Sequence, residues 1–289
     1  MANRPSSGRG IRFRSLSSSS RHGNAYLVIT PGATVLADCG VPLRRLEGFL
    51  RDSGVAPADI DAIFITHEHT DHCRALKIRH PFDLRHSIGR MFSTPRTWRA
   101  LHMPTESPHH PLVPGTAVQV GDLQVVGLRN SHDAAQPISL KFTCADETLA
   151  VVTDLGTVDP GMVSALRGST YLVVESNHDV QMEMESGRPA SLIRRVLSDF
   201  GHLSNDQAGA SLQLMVGTDT RAVLLAHLST QCNTPELARN AVAAYLDGTS
   251  FTGDLLAAPP DRPGPWLGEA PRRADETDRG TPVDRPASS

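Results

Sequence analysis

The segment Thr66–His72 (THEHTDH) concentrates three imidazoles and acidic side chains on a loop predicted to follow a short apolar strand. These groups cannot all pack into an apolar core, and their clustering is electrostatically unfavourable unless a cation such as a divalent metal ion lies between them. His67 and His69, two residues apart on an extended loop, can point at one ion. Asp71 and His72 then face a second ion. The alternatives are a solvated polar loop or one structural metal ion, but the strand-then-loop context favours metal-dependent hydrolysis.

Three more potential ligands follow predicted strands elsewhere in the chain. Asp154, His132 and His227 each come after an apolar stretch of strand length, and polar groups at strand ends are held by a rigid scaffold. Taken singly, Asp154 could be a helix N-cap or a turn residue, His132 an ordinary loop histidine and His227 a hydrogen-bonded buried one. Together with Thr66–His72 they favour a metal centre assembled from several strand ends.

His202 is the candidate for proton transfer. It lies in the segment Gly201–Ser204, directly before a helix predicted to begin near Asn205, where backbone N–H groups favour a phosphate. An imidazole beside that phosphate could protonate the leaving oxygen. The alternative is a capping-loop histidine with no catalytic part. Ser204 is expected to be the N-cap of the helix.

Further polar residues are expected in supporting positions. Asp38, at the end of an early strand, is either an acceptor for the N–H of a ligand imidazole or a turn residue. The loop Ser17–Asn24, with Asn24 as a candidate site residue, could present backbone N–H groups to a phosphate, although serine-rich turns are often only turns. The pocket is expected to be lined or buttressed by Glu175, Asn177 and His178. For His178 the alternative is a structural role. Basic residues that either contact a nucleic-acid backbone or lie on an exposed helix face are Arg188, Arg194 and Arg195.

The composition limits the class of protein. The 28 Lys and Arg against 31 Asp and Glu give a formal charge of −3, which argues against a protein that binds nucleic acid through bulk positive charge. No apolar run reaches the roughly 18 residues that a membrane helix needs. The four cysteines form no CxxC pair, so the sequence predicts neither a disulfide framework nor a thiolate zinc site, and a reducing, cytoplasmic compartment is expected.

The order of predicted elements indicates an α/β fold with two sheets and helices packed outside them. We expect one catalytic domain over residues 11–257, preceded by a basic disordered arm at 1–10 and followed by a disordered, Pro- and Arg-rich tail at 258–289. Trp266-Leu267 is the one potential docking spot in that tail. The segment His102–Pro114, with four Pro and three His, is predicted to be a loop or an insertion.

The order of the candidate ligands resembles the five metal motifs of the metallo-β-lactamase fold: HEHTDH at 67–72, then His132, Asp154 and His227. The resemblance covers about Ile11–Leu246 and implies a four-layer αββα sandwich with a two-metal cleft at the sandwich edge. Further segments are similar to the YycJ/WalJ-type single-domain enzymes, for which a DNA 5′→3′ exonuclease activity has been proposed. These segments are Ser17–Tyr26, Val152–Gly156, Glu175–Asp179, Leu197–Asp206 and Leu225–Pro235.

The resemblance implies two divalent metal ions, Zn or Mn, and a ligand set for each. One ion would be held by His67, His69 and His132, the other by Asp71, His72 and His227, with Asp154 bridging the two. The nitrogen-rich first set suits zinc, whereas carboxylates at the second also admit manganese. Two ions sharing Asp154 would share a water, lower its pKa and give a hydroxide that attacks phosphorus. The catalytic residues would then be His202, Asp71 and Asp154.

The expected function is a metal-dependent phosphodiesterase, specifically a DNA 5′→3′ exonuclease acting on DNA ends. One alternative keeps the enzyme class but has a small phosphodiester or a thioester as the substrate. The other is a metal-stabilised signalling or interaction protein without turnover, against which Asp71, Asp154 and His202 argue because they are surplus to a structural metal. Three departures from the family pattern, at Ser18–His22, at Ala135-Gln136 and at His102–Pro114, concern substrate fit more than the metal site.

Overall fold

Two β-sheets packed face to face form the centre of the fold. The computed structural model describes residues 10–77, 90–103 and 108–268. The first sheet contains, in spatial order, β1 (Arg12–Ser19), β2 (Gly23–Ile29), β3 (Thr34–Ala37), β4 (Ala62–Phe64), β5 (Met91–Ser93) and β6 (His109–Pro111). The pairs from β1 to β3 are antiparallel, and those from β3 to β6 are parallel.

The second sheet has seven strands, and strands that are consecutive in the chain are neighbours in the sheet. They are β7 (Ala117–Val120), β8 (Leu123–Arg129), β9 (Ile138–Cys144), β10 (Glu147–Val152), β11 (Tyr171–Glu175), β12 (Ala222–Ala226) and β13 (Asp254–Ala257). The pairs from β7 to β10 are antiparallel and those from β10 to β13 are parallel.

Helices cover the outer face of each sheet. Beside the first sheet are α1 (Leu43–Asp52), α2 (Thr70–Cys73) and α3 (Pro95–Ala100). The chain after β10 contributes α4 (Pro160–Leu166), α5 (Val180–Met184), α6 (Ala190–Val196), α7 (Asn205–Met215) and α8 (Pro235–Leu246). The predicted four-layer αββα sandwich is therefore confirmed.

Three apolar cores separate these layers. The central core, between the sheets, joins Phe13 and Phe64 of the first sheet to Phe142 of the second. A second core packs α1 against the first sheet, and a third packs α7 and α8 against the second sheet. Strand β10 shows how the sequence supports both faces: Leu149 and Val151 face the central core, whereas the alternate residues Ala150 and Val152 face the outer one. Such a continuous apolar run is typical of a parallel strand buried on both faces.

The parallel strands direct their carboxyl ends to a common edge of each sheet. In the second sheet, Val151 of β10 pairs with Val173 of β11, which pairs with Leu224 of β12. Because parallel strands in register end at the same level, the residues that follow β10, β11 and β12 emerge side by side. The chain that follows β3 and β4 emerges in the same way from the first sheet.

Two segments differ from their predictions. Within His102–Pro114, expected to be a loop or an insertion, His109–Pro111 forms the edge strand β6, because its backbone pairs with β5. The tail predicted to be disordered from residue 258 is ordered as far as Gly268, and Ala258 and Leu267 are buried. The remaining predictions for the two ends of the chain concern residues 1–9 and 269–289, which lie outside the described residues. Over the described ranges, no helix is long and apolar enough to cross a membrane.

Residues 258–268, here called the C-terminal strap, pack along the edge of β1. Phe13 and Leu267 exchange backbone hydrogen bonds of 2.8 Å in each direction. The guanidinium of Arg12 lies 3.9 Å from the ring centre of Trp266, which packs against the core beneath α1. The strap therefore covers a sheet edge that would otherwise expose unpaired backbone groups. The docking spot expected at Trp266-Leu267 is used within the fold.

We expect Trp266→Ala to lower the free energy of unfolding by about 1–3 kcal/mol, because the half-buried indole loses apolar contacts and its cation–π partner. Urea unfolding measures this. Arg262→Ala is the matched control, since the Arg262 side chain lies on the same strap and is 74% exposed. The control is expected to stay within about 0.5 kcal/mol of the wild type, and equal midpoints for both variants would contradict a stabilising role for the strap.

Candidate metal centre

Three histidines from two loops form the first ligand cluster. His67 and His69 lie on the loop after β4, and His132 lies on the loop after β8. One ring nitrogen from each lies within 4.8 Å of the others, and Nε2 of His132 is 3.3 Å from Nδ1 of His69. Converging imidazoles of this kind suit one divalent ion.

The second cluster comprises Asp71 and His72 of α2, Asp154 after β10 and His227 after β12, again with ligand atoms within 4.8 Å of one another. Asp154 lies between the two clusters. Its Oδ2 is 2.9 Å from Nε2 of His72, and its Oδ1 is 3.9 Å from Nε2 of His132. Because Oδ1 is also 3.5 Å from Nδ1 of His227, the carboxylate lies between the two clusters and within reach of both, as a bridging carboxylate must.

Three of these strand-end residues have a left-handed backbone, which is uncommon outside glycine. The φ angles are 59° at Asp38, 58° at Asp154 and 54° at His227. Conformations of this kind cost roughly 1–3 kcal/mol each and persist where the surrounding contacts fix them. Each of the three ends a strand at the edge where the ligands meet, so this strain is concentrated at the candidate site.

Asp38 supports His72 from behind. Its Oδ2 accepts a hydrogen bond of 2.7 Å from Nδ1 of His72, and its Oδ1 accepts one of 2.9 Å from the backbone N–H of Thr66. This bond assigns the proton to Nδ1 and leaves Nε2 of His72 facing Asp154. A carboxylate behind a ligand imidazole orients the ring and raises its basicity. The contact corresponds to the first of the two roles considered for Asp38.

The backbone after β3 holds the HEHTDH segment in place. The N–H of Cys39 donates to the carbonyl oxygen of His72 at 2.8 Å. Gly40 must be glycine because a Cβ there would lie 1.6 Å from the carbonyl oxygen of Asp71. The close approach fixes α2, and with it the two ligands that α2 supplies.

Glu175, the last residue of β11, is fully buried and binds four groups. Its Oε1 accepts hydrogen bonds from Nδ1 of His202 at 2.8 Å and from Nδ1 of His227 at 2.7 Å. Its Oε2 accepts from the backbone N–H groups of Leu155 at 3.0 Å and Leu203 at 3.3 Å. One carboxylate therefore orients a candidate ligand and the candidate acid, and it ties together the loops after β10 and before α7.

The remaining imidazoles are also held on one side only. Nδ1 of His132 donates to the carbonyl oxygen of Gly201 at 3.1 Å, and Nδ1 of His67 is 3.0 Å from the hydroxyl of Thr66. On the other side, the buried Nε2 atoms of His67 and His227 have no hydrogen-bond partner among the described residues. Unpaired buried nitrogens are costly. Their convergence on carboxylates fits divalent metal ions as the missing partners.

Burial and neighbouring charges shift the pKa values of several side chains in these clusters. Burial, reinforced by His72, holds the pKa of His67 well below its usual value. For His227, burial alone would lower the pKa, but the nearby carboxylates of Asp154, Asp71 and Glu175 outweigh it and raise the pKa to about 10. The pKa of His72 is likewise raised well above its usual value, because Asp154 and Asp38 outweigh the effect of burial. His202 and His227 lower the pKa of Glu175 to about 2, although burial opposes this shift.

Several backbone N–H groups near the start of the helix after His202 donate to other parts of the protein. Ser204 is the N-cap, as predicted, because its side chain accepts from the N–H of Gln207. However, the N–H groups of Leu203, Ser204 and Asn205 donate to Glu175, Gln207 and His178 respectively. These three N–H groups are therefore already used within the protein, and a phosphate contact at this helix end stays a prediction.

The other supporting residues lie around the second cluster. Nδ2 of Asn24 is 3.0 Å from Nε2 of His72, and Nδ2 of Asn177 donates to the carbonyl oxygen of His227 at 2.8 Å. The buried ring of His178 has no hydrogen-bond partner in the described part of the chain, and its backbone oxygen accepts from Asn205. The first two thus contact candidate ligands, whereas His178 lies one step farther away.

Sequence reasoning assigned no role to two contacts that matter. The hydroxyl of Thr66 binds Asp38 and lies beside His67, and the signal for it was its place directly before the HEHTDH segment. Arg195, left open between a nucleic-acid contact and an exposed face, binds Asp133 next to His132 through Nε at 2.5 Å and Nη2 at 2.9 Å. Arg188 instead pairs with the buried Glu183 at 2.8 Å.

The sequence profile of the β-lactamase superfamily domain matches residues 33–228. The chain belongs to the β-lactamase superfamily. It is 33% identical over 248 residues to the exodeoxyribonuclease YycJ of Bacillus anthracis, a match that covers 84% of this chain and 91% of that protein. It is 30% identical over 244 residues to the exodeoxyribonuclease WalJ of Streptococcus pneumoniae, covering 82% and 88%. The predicted resemblance to YycJ/WalJ-type enzymes is confirmed, and the chain is a metal-dependent hydrolase.

Solved structures support the fold at lower identity. The metallo-β-lactamase fold protein YhfI from Bacillus subtilis superposes with a TM-score of 0.67 at 15% identity, covering 88% of this chain and 98% of that one. A diphosphatase of the PhnP family gives a TM-score of 0.62 at 17% identity, covering 89% and 96%. Human tRNase Z, short form, gives 0.57 at 15% identity, covering 89% and 98%. The fold of the family indicates divalent metal ions as cofactors.

Metal binding should release protons at neutral pH. Because the raised pKa values of His72 and His227 keep both rings protonated without metal, a ligand nitrogen must lose its proton before it binds an ion. We therefore expect the apparent affinity for Zn²⁺ to rise with pH up to about 10, the pKa of His227. Calorimetric titration in two buffers of different ionisation enthalpy measures the released protons, and a binding enthalpy independent of the buffer would contradict the prediction.

Proposed function

We propose that this hydrolase is a phosphodiesterase that removes nucleotides from DNA ends in the 5′→3′ direction. The observation that carries the proposal is the position of the Asp154 carboxylate between two adjacent ligand clusters, 2.9 Å from His72 of one and 3.9 Å from His132 of the other. Two-metal sites of this kind are typical of enzymes that act on phosphodiesters. The likeness over most of both chains to proteins named exodeoxyribonucleases supports DNA as the substrate.

We assign the ligands as follows: His67, His69 and His132 to one ion, Asp71, His72 and His227 to the other, and Asp154 to both. The histidine set suits zinc, and the carboxylates of the second set also admit manganese. When bound, the two ions would act as Lewis acids that activate water and neutralise the charge that develops on the phosphate. The chain has a formal charge of −3 and so no net positive charge to attract the substrate. The two ions would supply that positive charge at the site.

His202 is the proposed proton donor. Its Nδ1 is held by Glu175, which orients the ring, fixes the proton on Nδ1 and leaves Nε2 for the substrate. In this assignment Nε2 delivers a proton to the leaving oxygen. The negative charge of Glu175 stabilises the protonated ring, in the way that a carboxylate supports a catalytic histidine in other hydrolases. Glu175 is a positioning residue, because it acts through His202 and His227.

The other proposed supporting residues act on ligands. Asp38 orients His72, and Asn24 and Asn177 fix the second cluster through His72 and the backbone of His227. We propose a reducing, cytoplasmic compartment, which is supported by four buried cysteines without disulfide bonds.

End-labelled duplex and single-stranded DNA, incubated with Mn²⁺ or Zn²⁺, test the proposed reaction. We expect the wild type to release nucleotides from the 5′ end and Asp154→Asn to release none. Asp146→Asn, which changes an exposed carboxylate in the turn between β9 and β10, is the matched control and should keep full activity. A wild type that hydrolyses bis(p-nitrophenyl) phosphate but releases no nucleotides would contradict the nuclease and favour the small-phosphodiester alternative.

The roles of His202 and Glu175 can be separated. His202→Ala should lower kcat by roughly 10²- to 10⁴-fold while leaving both metal ions bound. Glu175→Gln should also lower the metal affinity, by about 10- to 100-fold, because it releases His227. Metal content by mass spectrometry and kcat are measured on the same samples. Since His202 also lies within ligand distance of Asp154, Glu175 and His227, loss of an ion in His202→Ala would make it a ligand and contradict its role as the acid.

A further inference from the structure

One large aromatic side chain is exposed beside the candidate metal centre. Phe200 has 61% of its surface accessible to solvent. It precedes His202 by two residues, so the two Cα atoms are at most about 8 Å apart. The ring contributes little to the apolar cores, and an exposed aromatic at this place therefore calls for a role other than folding.

The backbone that presents this ring is fixed by the loops of the site. The N–H of Asp133 donates to the carbonyl oxygen of Phe200 at 3.2 Å, and the next carbonyl, of Gly201, accepts from His132. On the other side, a Cβ on Gly156 would lie 2.3 Å from the backbone of Asp199, so the loop after Asp154 packs directly against the turn. The backbone of Phe200 is thus held by the loops that supply ligands, so little backbone freedom is lost when something stacks on the ring.

A cation is linked to the backbone of Phe200 through one intervening residue. Arg195 binds Asp133, whose backbone holds Phe200, and its side chain is 45% exposed. The hydrogen bond to Asp133 and the nearby Asp154 raise the pKa of Arg195, so it stays charged. Aromatic platforms next to positive charge are the combination by which proteins bind single-stranded nucleic acid, the ring stacking on a base and the cation contacting the backbone.

We propose that Phe200 stacks on the nucleobase next to the scissile phosphodiester, and that Arg195 contacts an adjacent phosphate. This proposal rests on the proposed nuclease function and adds the class of substrate: a DNA end whose terminal base is unpaired. The charged neighbour favours a nucleic acid over an apolar protein partner, since a protein contact would bury Arg195 and Asp133 along with the ring. Stacking is tolerant of base identity, which suits an enzyme that degrades successive nucleotides.

The test compares Phe200→Ala with Phe200→Trp on two single-stranded oligonucleotides, one with normal 5′-terminal residues and one with abasic residues at the first two positions. On the normal substrate, Phe200→Ala should lower kcat/KM by roughly 5- to 100-fold, the range for loss of one base–aromatic stack. Phe200→Trp should retain activity. On the abasic substrate, Phe200→Ala should differ from the wild type by less than about twofold, because there is no base to lose.

The matched control is Leu214→Ala, which removes a 51% exposed apolar side chain near the far end of α7; its activity should equal that of the wild type. Equal losses for Phe200→Ala on both oligonucleotides, or no loss on either, would overturn the stacking role. A wild-type dimer that Phe200→Ala dissociates without a change in kcat/KM would make this face a subunit interface and also overturn it. If the wild type degrades neither oligonucleotide, the nuclease function fails first, and that result is distinct from a failure of stacking alone.

Discussion

The candidate site depends on one buried carboxylate. Glu175 accepts hydrogen bonds from the imidazoles of His202 and His227 and from two backbone N–H groups, although it has no exposed surface. An uncompensated buried carboxylate would be strongly unfavourable, so the charge is stable only because these donors surround it. The same contacts fix the ring orientation of a proposed ligand and of the proposed acid. In the proposed function, one side chain at the end of β11 would thereby couple metal binding to proton transfer.

The fold explains why such a residue can lie there. Parallel register across β10, β11 and β12 brings their carboxyl ends to one edge, and β3 and β4 of the facing sheet do the same. Left-handed residues at Asp38, Asp154 and His227 then end the strands abruptly. The αββα layers supply the apolar packing that holds these strained turns, so the stability of the sandwich supports the geometry of the site.

The sequence alone pointed to the candidate ligands because their chemistry is local. Three histidines and an aspartate within HEHTDH, and single polar residues after apolar strands, are patterns that few other structures require. Glu175 was harder to assign, since a glutamate at the end of a strand has no local signal that distinguishes a buried acceptor from a pocket-lining residue. Its role follows from two histidines that are 27 and 52 residues away in the chain.

Other features depend on long-range packing in the same way. The C-terminal strap has the Pro- and Arg-rich composition of a disordered segment, but pairing with β1 and the contact of Trp266 with Arg12 order it. The backbone N–H groups at the turn between His202 and the following helix also depend on distant residues. The N–H groups there are consumed by Glu175, Gln207 and His178, of which only Gln207 is close in sequence.

The central claim is that two ligand clusters hold two divalent ions on either side of Asp154. Anomalous diffraction from crystals of the protein grown with Zn²⁺ or Mn²⁺ measures this most directly. The account predicts two peaks about 3.5–4 Å apart, one among His67, His69 and His132 and the other among Asp71, His72 and His227. A single peak, or peaks that do not flank the Asp154 carboxylate, would contradict it.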